Sequence, residues 1–196
     1  LWPQGAEKID VMAGHSLGEY SALVCAGSIG FEDAIRLVRQ RGELMQRAVP
    51  NGQGGMAAIL GLDDRDIEAC CATVSGEVGA ANYNAPGQVV IAGEMSALDE
   101  AIEACKAAGA KRAVKLDVSG PFHSKLMAAT ADDFSKALNE IEMVMPQIPV
   151  LQNVYASIAK DTEELKRNLV EQLYCPVQWT ASVQALLLQG LESCVE

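Results

Sequence analysis

Nowhere in this 196-residue chain do about 18 consecutive apolar residues occur, the length that a membrane helix needs, so nothing in it reads as a span. Leu1 to Asp10 also lack the basic-then-apolar order of a secretory leader. The six cysteines include no C-x-x-C pair, which excludes a zinc finger or a dithiol redox motif and leaves them as small hydrophobes of a reducing compartment. We therefore expect a cytoplasmic protein without a metal site. Basic residues are scarce: 15 Lys and Arg stand against 26 Asp and Glu, and a formal charge of −11 is a poor match to a nucleic-acid backbone. The one basic cluster, Lys106, Lys111, Arg112 and Lys115, has two readings, ordinary solvated positions or a docking patch for an acidic partner. No internal repeat and no low-complexity stretch is found.

What the chain does have is alternation of strand-like and helix-like segments, the mark of an α/β class, with 49% hydrophobic residues to fill a core. Ile9 to Ala13 reads as a short strand ending at Gly14, followed by a helix from Leu17 to Ala26 that Gly27 stops. A second helix runs from Phe31 to Ala48, with Glu32 and Asp33 in its first turn and Pro50 beyond its end. From Asn51 to Val118 the order becomes strand, helix, strand, strand, helix, strand, which is the βαββαβ order of a ferredoxin-like module. Its middle strands are parted by the turn "NAPG", and Ser96 with Asp99 has capping-box spacing at its second helix. We take residues 51–118 as an inserted small subdomain and residues 1–50 with 119–196 as the main one. In the latter we expect a helix over Met127 to Glu140 and a strand over Pro149 to Val154. A helix headed by Asp161 and Glu164 and closed by Pro176 should follow, then one over Ser182 to Gln189 and a strand starting near Leu191.

Gly14-His15-Ser16-Leu17-Gly18 matches G-x-S-x-G between a strand and a helix. In that geometry a serine sits on a strained turn, glycines avoid clashes, and the next N–H faces a developing oxyanion. The competing reading is a serine that merely caps the helix. A nucleophilic serine needs a base, and the chain offers two histidines. His15 is adjacent on a sharp turn and points elsewhere, so it reads as structural; His123, in the loop "SGPFHS", is the remaining partner, and we expect its imidazole to be exposed. No acid stands out to orient it. Pro176 has no N–H, however, so the carbonyl of Gln172 loses its helical partner and is free to accept from the imidazole or from water.

Arg41 is surrounded on its helix by Leu37, Val38, Leu44 and Met45, whereas Arg36 has Glu32, Asp33, Arg39 and Gln40 in those places. Arg36 faces water and Arg41 faces inward, where a guanidinium must meet either an internal carboxylate or a substrate carboxylate.

In order along the chain, "GHSLGEYSALVCAG", Arg41-Gly42, "NAPGQVVIAG", "GPFHS" and "EQLYCPVQW" resemble the malonyl-CoA:acyl carrier protein transacylases of bacterial fatty acid synthesis. The resemblance covers essentially the whole chain. It implies an α/β-hydrolase-like main subdomain with the ferredoxin-like insertion, Ser16 as the acylated nucleophile and His123 as its base. It further implies Arg41 on the malonyl carboxylate, the Leu17 N–H as half of the oxyanion hole, the Gln172 carbonyl orienting His123, and Asn153 of "LQNV" lining the site. The substrates would be malonyl-CoA, a coenzyme A thioester, and acyl carrier protein, with no cofactor, nucleic acid or membrane involved. Members of the family carry a Gly-Gln-Gly-Ser-Gln segment upstream whose first glutamine completes the oxyanion hole; only 15 residues precede Ser16 here, so the resemblance implies an interior piece.

Three rival readings follow. A serine thioesterase would use water as acceptor and ordinarily an acid in its triad. An acyltransferase domain of a polyketide synthase would share the motifs, with Phe122 suiting malonyl. A carrier-binding module would bind without acylation.

Overall fold

The computed structural model describes residues 9–195, so the segment before Ile9 and Glu196 lie outside the described residues. The elements in chain order are β1 (Met12–Ala13), α1 (Leu17–Cys25), α2 (Phe31–Arg47), β2 (Gly54–Leu60), α3 (Asp64–Thr73), β3 (Val78–Ala85), β4 (Gln88–Glu94), α4 (Met95–Ala107), β5 (Arg112–Lys115), a 3₁₀ helix (Lys125–Thr130), α5 (Ala131–Asn139), β6 (Val150–Gln152), β7 (Ser157–Ile158), α6 (Thr162–Glu171) and α7 (Trp179–Leu188). The fold is mixed α/β with two sheets.

Apolar alternation explains the larger sheet. Along β2 and β4, Ala57, Ile59, Val89 and Ile91 point to one face and are covered by Leu98, Ala101, Ile102 and Cys105 of α4 and by Ile67 and Cys71 of α3. Met56, Val90 and Ala92 point to the other face, where Ala81 and Phe122 meet them. The sheet is antiparallel in the order β3-β4-β2-β5, so sequential neighbours β3 and β4 pair and β2 lies in the middle.

The second sheet is small. β1 runs parallel to β6, with Met12 beside Val150, and β6 pairs antiparallel with β7. Around it α1, α2, α5 and α6 supply Tyr20, Leu23, Leu37, Leu44, Phe134, Leu138, Leu165 and Leu169 to one core. Phe122 packs against this core as well as the far face of the larger sheet, so the residue before His123 anchors the loop between the two. A second tie is the strand-like run at Val177: its N–H donates to Ala81 O (2.9 Å), its carbonyl accepts from Tyr83 N–H (2.9 Å), and Gln178 N–H donates to Asn153 O (2.9 Å).

Several expectations need correction. Ser96 does not cap α4: the helix starts at Met95 behind Glu94 with no side-chain cap, leaving Ser96 inside the first turn. The helix expected over Met127 to Glu140 is split, because Ser124 Oγ donates to Pro121 O (2.6 Å) and Thr130 Oγ1 to Met127 O (2.7 Å). Hydroxyls that bond back three residues favour the tighter 3₁₀ turn before α5 begins. Leu191 to Val195 forms no strand, and Cys25 and Cys194 are exposed rather than core. At α6, by contrast, Asp161 caps through Glu164 N–H (2.8 Å), as its spacing predicts.

Candidate active site

β1 ends and α1 begins across a turn so tight that a Cβ on Gly14 would stand 2.0 Å from the Gly18 carbonyl group, which makes glycine obligatory there. A Cβ on Gly18 would meet nothing, so only the first of the two motif glycines is required sterically within the fold. The turn forces Ser16 to φ 53° and ψ −109°, a strained conformation for serine that costs on the order of 1–3 kcal/mol. His123 is also held at positive φ, 58°. Two of the three positive-φ residues other than glycine among the described residues thus face each other across the site.

The Ser16 side chain makes no capping bond to α1. Its Oγ lies 2.7 Å from His123 Nε2 and accepts from Arg41 Nη2 at 3.0 Å. The other imidazole nitrogen, Nδ1, lies 2.7 Å from the main-chain carbonyl of Gln172. A carbonyl can only accept, so Nδ1 carries the proton and Nε2 presents its lone pair to the Ser16 hydroxyl. This carbonyl is available because α6 ends at Glu171 and Pro176 offers no N–H. Far from being exposed as its loop position suggested, His123 is 4% exposed. Burial, and after it the positive charge of Arg41, lowers its pKa to about 3, against the opposing pull of the bond to Gln172. The imidazole is therefore neutral throughout the neutral range, and it borders a cavity of about 400 Å³ shared with Ser124, Tyr174 and Pro176.

Arg41 is buried on α2 and lies 5.5 Å over the Tyr20 ring. Its guanidinium reaches only neutral partners, Ser16 Oγ and Gln172 Oε1 (3.0 Å), and its Nε has no partner among the described residues. An inward-facing cation without a carboxylate ion pair among the described residues is costly unless something anionic arrives. Arg36, as its surroundings predict, is exposed and pairs with Asp33.

Asn153 holds the elbow: its Oδ1 accepts from Ser16 N–H (2.6 Å) and its Nδ2 donates to Gly14 O (2.8 Å). Leu17 is the first residue of α1 and half exposed, so its N–H points out of the helix start beside Ser16. His15 turns away to Asn84 Oδ1 (2.8 Å) and to the Trp179 ring (5.5 Å between centroids), linking the elbow to the larger sheet.

The basic cluster lies apart from this site. Lys106 pairs with Glu103 and Lys115 with Asp99, whereas Lys111 and Arg112 are exposed and carry no ion pair among the described residues. No group of three or more possible metal ligands occurs among the described residues, and no described helix is long and apolar enough to cross a membrane.

Glu19 was missed by motif reading. It is 1% exposed, and burial pushes its carboxyl up to about 7 against the pull of bonds from Asn153, Gln152 and Gln172 and, weakest, of the Arg41 charge. The signal existed: Ala22 and Leu23, at i+3 and i+4, put Glu19 on the apolar face of α1, the same test that turns Arg41 inward.

A serine hydroxyl on a strained turn, an imidazole that leans on a carbonyl rather than an acid, and a buried cation bonded to that hydroxyl thus meet in a mixed α/β fold. The chain belongs to the acyl transferase domain family, whose sequence model matches residues 2–196. It is 52% identical, over its whole length, to the malonyl CoA-acyl carrier protein transacylase of Salmonella typhimurium, and spans 64% of that relative. Its fold matches an acyl carrier protein S-malonyltransferase from Vibrio cholerae with a TM-score of 0.93 at 51% identity, covering 96% of this chain and 62% of the other. The same TM-score, at 52% identity and the same coverage, relates it to a malonyl-transacylase in complex with its type II PKS acyl-carrier protein.

Proposed function

We propose that the protein transfers a malonyl group from coenzyme A through a serine ester to the phosphopantetheine thiol of acyl carrier protein, in fatty acid synthesis. In this reading Ser16 Oγ attacks the thioester carbonyl while His123 Nε2 takes its proton, and the Leu17 N–H stabilises the oxyanion. The C–S bond breaks, the proton passes from His123 to the departing thiolate, and malonyl-serine remains. The carrier thiol then gives its proton to His123, attacks the ester carbonyl, and Ser16 leaves as the alcohol by recovering that proton. Coenzyme A enters only as substrate, and no cofactor is needed.

The observation that carries the reading is Arg41, 3.0 Å from the nucleophilic oxygen with no carboxylate ion pair among the described residues. A malonyl ester on Ser16 would bring a carboxylate to it, and guanidinium binds carboxylate bidentately. That carboxylate also offsets the second cause of the low His123 pKa, after burial, so substrate binding would return part of the imidazole's basicity.

Residues 51–118 are on this reading a ferredoxin-like small subdomain, supported by the β3-β4-β2-β5 antiparallel order with α3 and α4 on one face. Residues 1–50 and 119–196 form an α/β-hydrolase-like main subdomain, with the site at their junction. Lys111 and Arg112 lead the carrier-docking patch. The relative bound to a type II PKS carrier favours one second reading, delivery to a polyketide rather than a fatty acid carrier. On this reading the activity is cytoplasmic, in keeping with six cysteines that include no C-x-x-C pair. Exchanging Ser16→Ala in the full-length protein is expected to abolish labelling by radioactive malonyl-CoA; undiminished labelling overturns the assignment.

A further inference from the structure

We propose that Glu19 is a positioning residue for recognition of the acyl carboxylate: by accepting from Gln172 it fixes which way round the Gln172 amide lies, and so holds Arg41. The inference rests on the acyl-transfer reading above.

The geometry is a short chain of contacts. Glu19 Oε2 accepts from Gln172 Nε2 (2.8 Å) and from Asn153 N–H (2.9 Å), and Oε1 accepts from Gln152 Nε2 (3.0 Å). Gln152 is locked in turn by Asn168, whose Nδ2 donates to its Oε1 (2.8 Å). At the far end of the Gln172 amide, Oε1 accepts from Arg41 Nη2 (3.0 Å). A carboxylate only accepts and a guanidinium only donates, so the amide between them has one orientation that satisfies both. The other acceptors near Gln172 Nε2, Ser16 O at 3.2 Å and Asn153 Oδ1 at 3.4 Å, are longer and hold the amide less firmly. Gln172 therefore serves two ends of the reaction, its main chain orienting the base and its side chain the cation, and Glu19 keys the second.

Replacing the carboxylate by an amide breaks the logic. In Glu19→Gln the new NH₂ faces Gln152 Nε2 if it takes the Oε1 place, or Gln172 Nε2 and the Asn153 N–H if it takes the Oε2 place. Relief by flipping Gln172 turns its NH₂ toward Arg41, replacing a charge-assisted bond by a repulsive contact. Only substrates that use Arg41 suffer. Protonation acts in the same direction, because a neutral carboxyl has one acceptor fewer. The charged or titratable groups against Glu19 are Arg41 from α2 and Tyr20 beside it on α1; the contacts from β6, α6 and the Asn153 loop are amides. Arg41 is the last of the influences on Glu19, after the three amide bonds.

The test is the ratio of malonyl to acetyl acylation rates, normalised to the serine titrated by a fluorophosphonate probe in full-length protein. Glu19→Gln is expected to lower the ratio roughly 10- to 100-fold, the value of a lost charge-assisted bond, and to lower it no further when added to Arg41→Ala. Equal losses for malonyl and acetyl, or a full second loss in the Arg41→Ala background, overturn the proposal. Wild type provides the arm that needs no variant to fold: the ratio should fall as pH drops through about 7, and a ratio flat from pH 6 to 8 (roughly one pH unit either side of the Glu19 pKa) overturns it. Failure of the acyl-transfer reading looks different, since no serine ester would form with either thioester.

Discussion

Arg41→Ala separates substrate recognition from structure. The guanidinium is 5% exposed and touches Ser16 Oγ, Gln172 Oε1 and the Tyr20 ring, so its removal costs any acyl donor some packing and one bond to the nucleophile. For malonyl, on the proposed reading, it costs in addition the cation that meets the acyl carboxylate. Removing one partner of a buried ion pair costs about 3–5 kcal/mol, or roughly two to nearly four decades in rate at 1.36 kcal/mol per decade. Acetyl has no carboxylate to strand. Loss of the Arg41 charge also relieves part of the depression of His123, which works in favour of the remaining acetyl reaction. We therefore expect the ratio of malonyl to acetyl acylation to fall by about two to nearly four decades, measured as burst rates with radiolabelled malonyl-CoA and acetyl-CoA against titrated sites. Equal losses for both donors would refute the reasoning and make Arg41 part of a structural network.

Two further predictions concern pH and partner docking. His123 stays neutral in the fold to about pH 3 but takes a proton near 6.5 in the unfolded chain, so its contribution to stability is present above pH 6.5 and lost as pH falls toward 3. Glu19 has the opposite sign: its fold holds a proton that the unfolded chain releases from about 4.5, so its contribution is complete below 4.5 and lost as pH rises through 7. Denaturant unfolding between pH 5 and 6.5 should show wild type gaining up to about 1.4 kcal/mol per pH unit over His123→Gln, and losing as much against Glu19→Gln; parallel curves contradict it. Reversing Lys111 and Arg112 to Glu should raise the KM for carrier several-fold, as a steering patch does, and leave that for malonyl-CoA unchanged; a shift in both would place the effect elsewhere.

Much of the fold was legible because its elements bury one face with a clear period. Ala57, Ile59, Val89 and Ile91 alternate cleanly, and α2 turns Leu37, Arg41 and Leu44 to one side, which is how the inward arginine could be recognised among Arg36, Arg39 and Arg47. The two-residue β7 carries too few positions to show any period, and the 3₁₀ helix depends on two hydroxyls whose bonds spacing alone does not reveal. In the site, Ser16, Arg41, His123 and the Gln172 carbonyl come together within hydrogen-bond distances. The burial of His123 was not legible, because its loop is covered by residues far away in sequence, through Phe122 and both cores. Glu19 showed in the pattern but was masked by the motif: at the third position after Ser16 an acid reads as a helix-start residue, whereas the fold turns it inward to three amide donors.

The central claim is that an acyl group rests on Ser16 and is passed to a thiol. The direct measurement is a chase: full-length protein loaded with radioactive malonyl-CoA, freed of coenzyme A, then mixed with pantetheinylated acyl carrier protein. The account predicts that label leaves the Ser16 peptide and appears on the carrier thiol in equal amount. Label that leaves as free malonate at the same rate with or without carrier would contradict it and make the protein a thioester hydrolase.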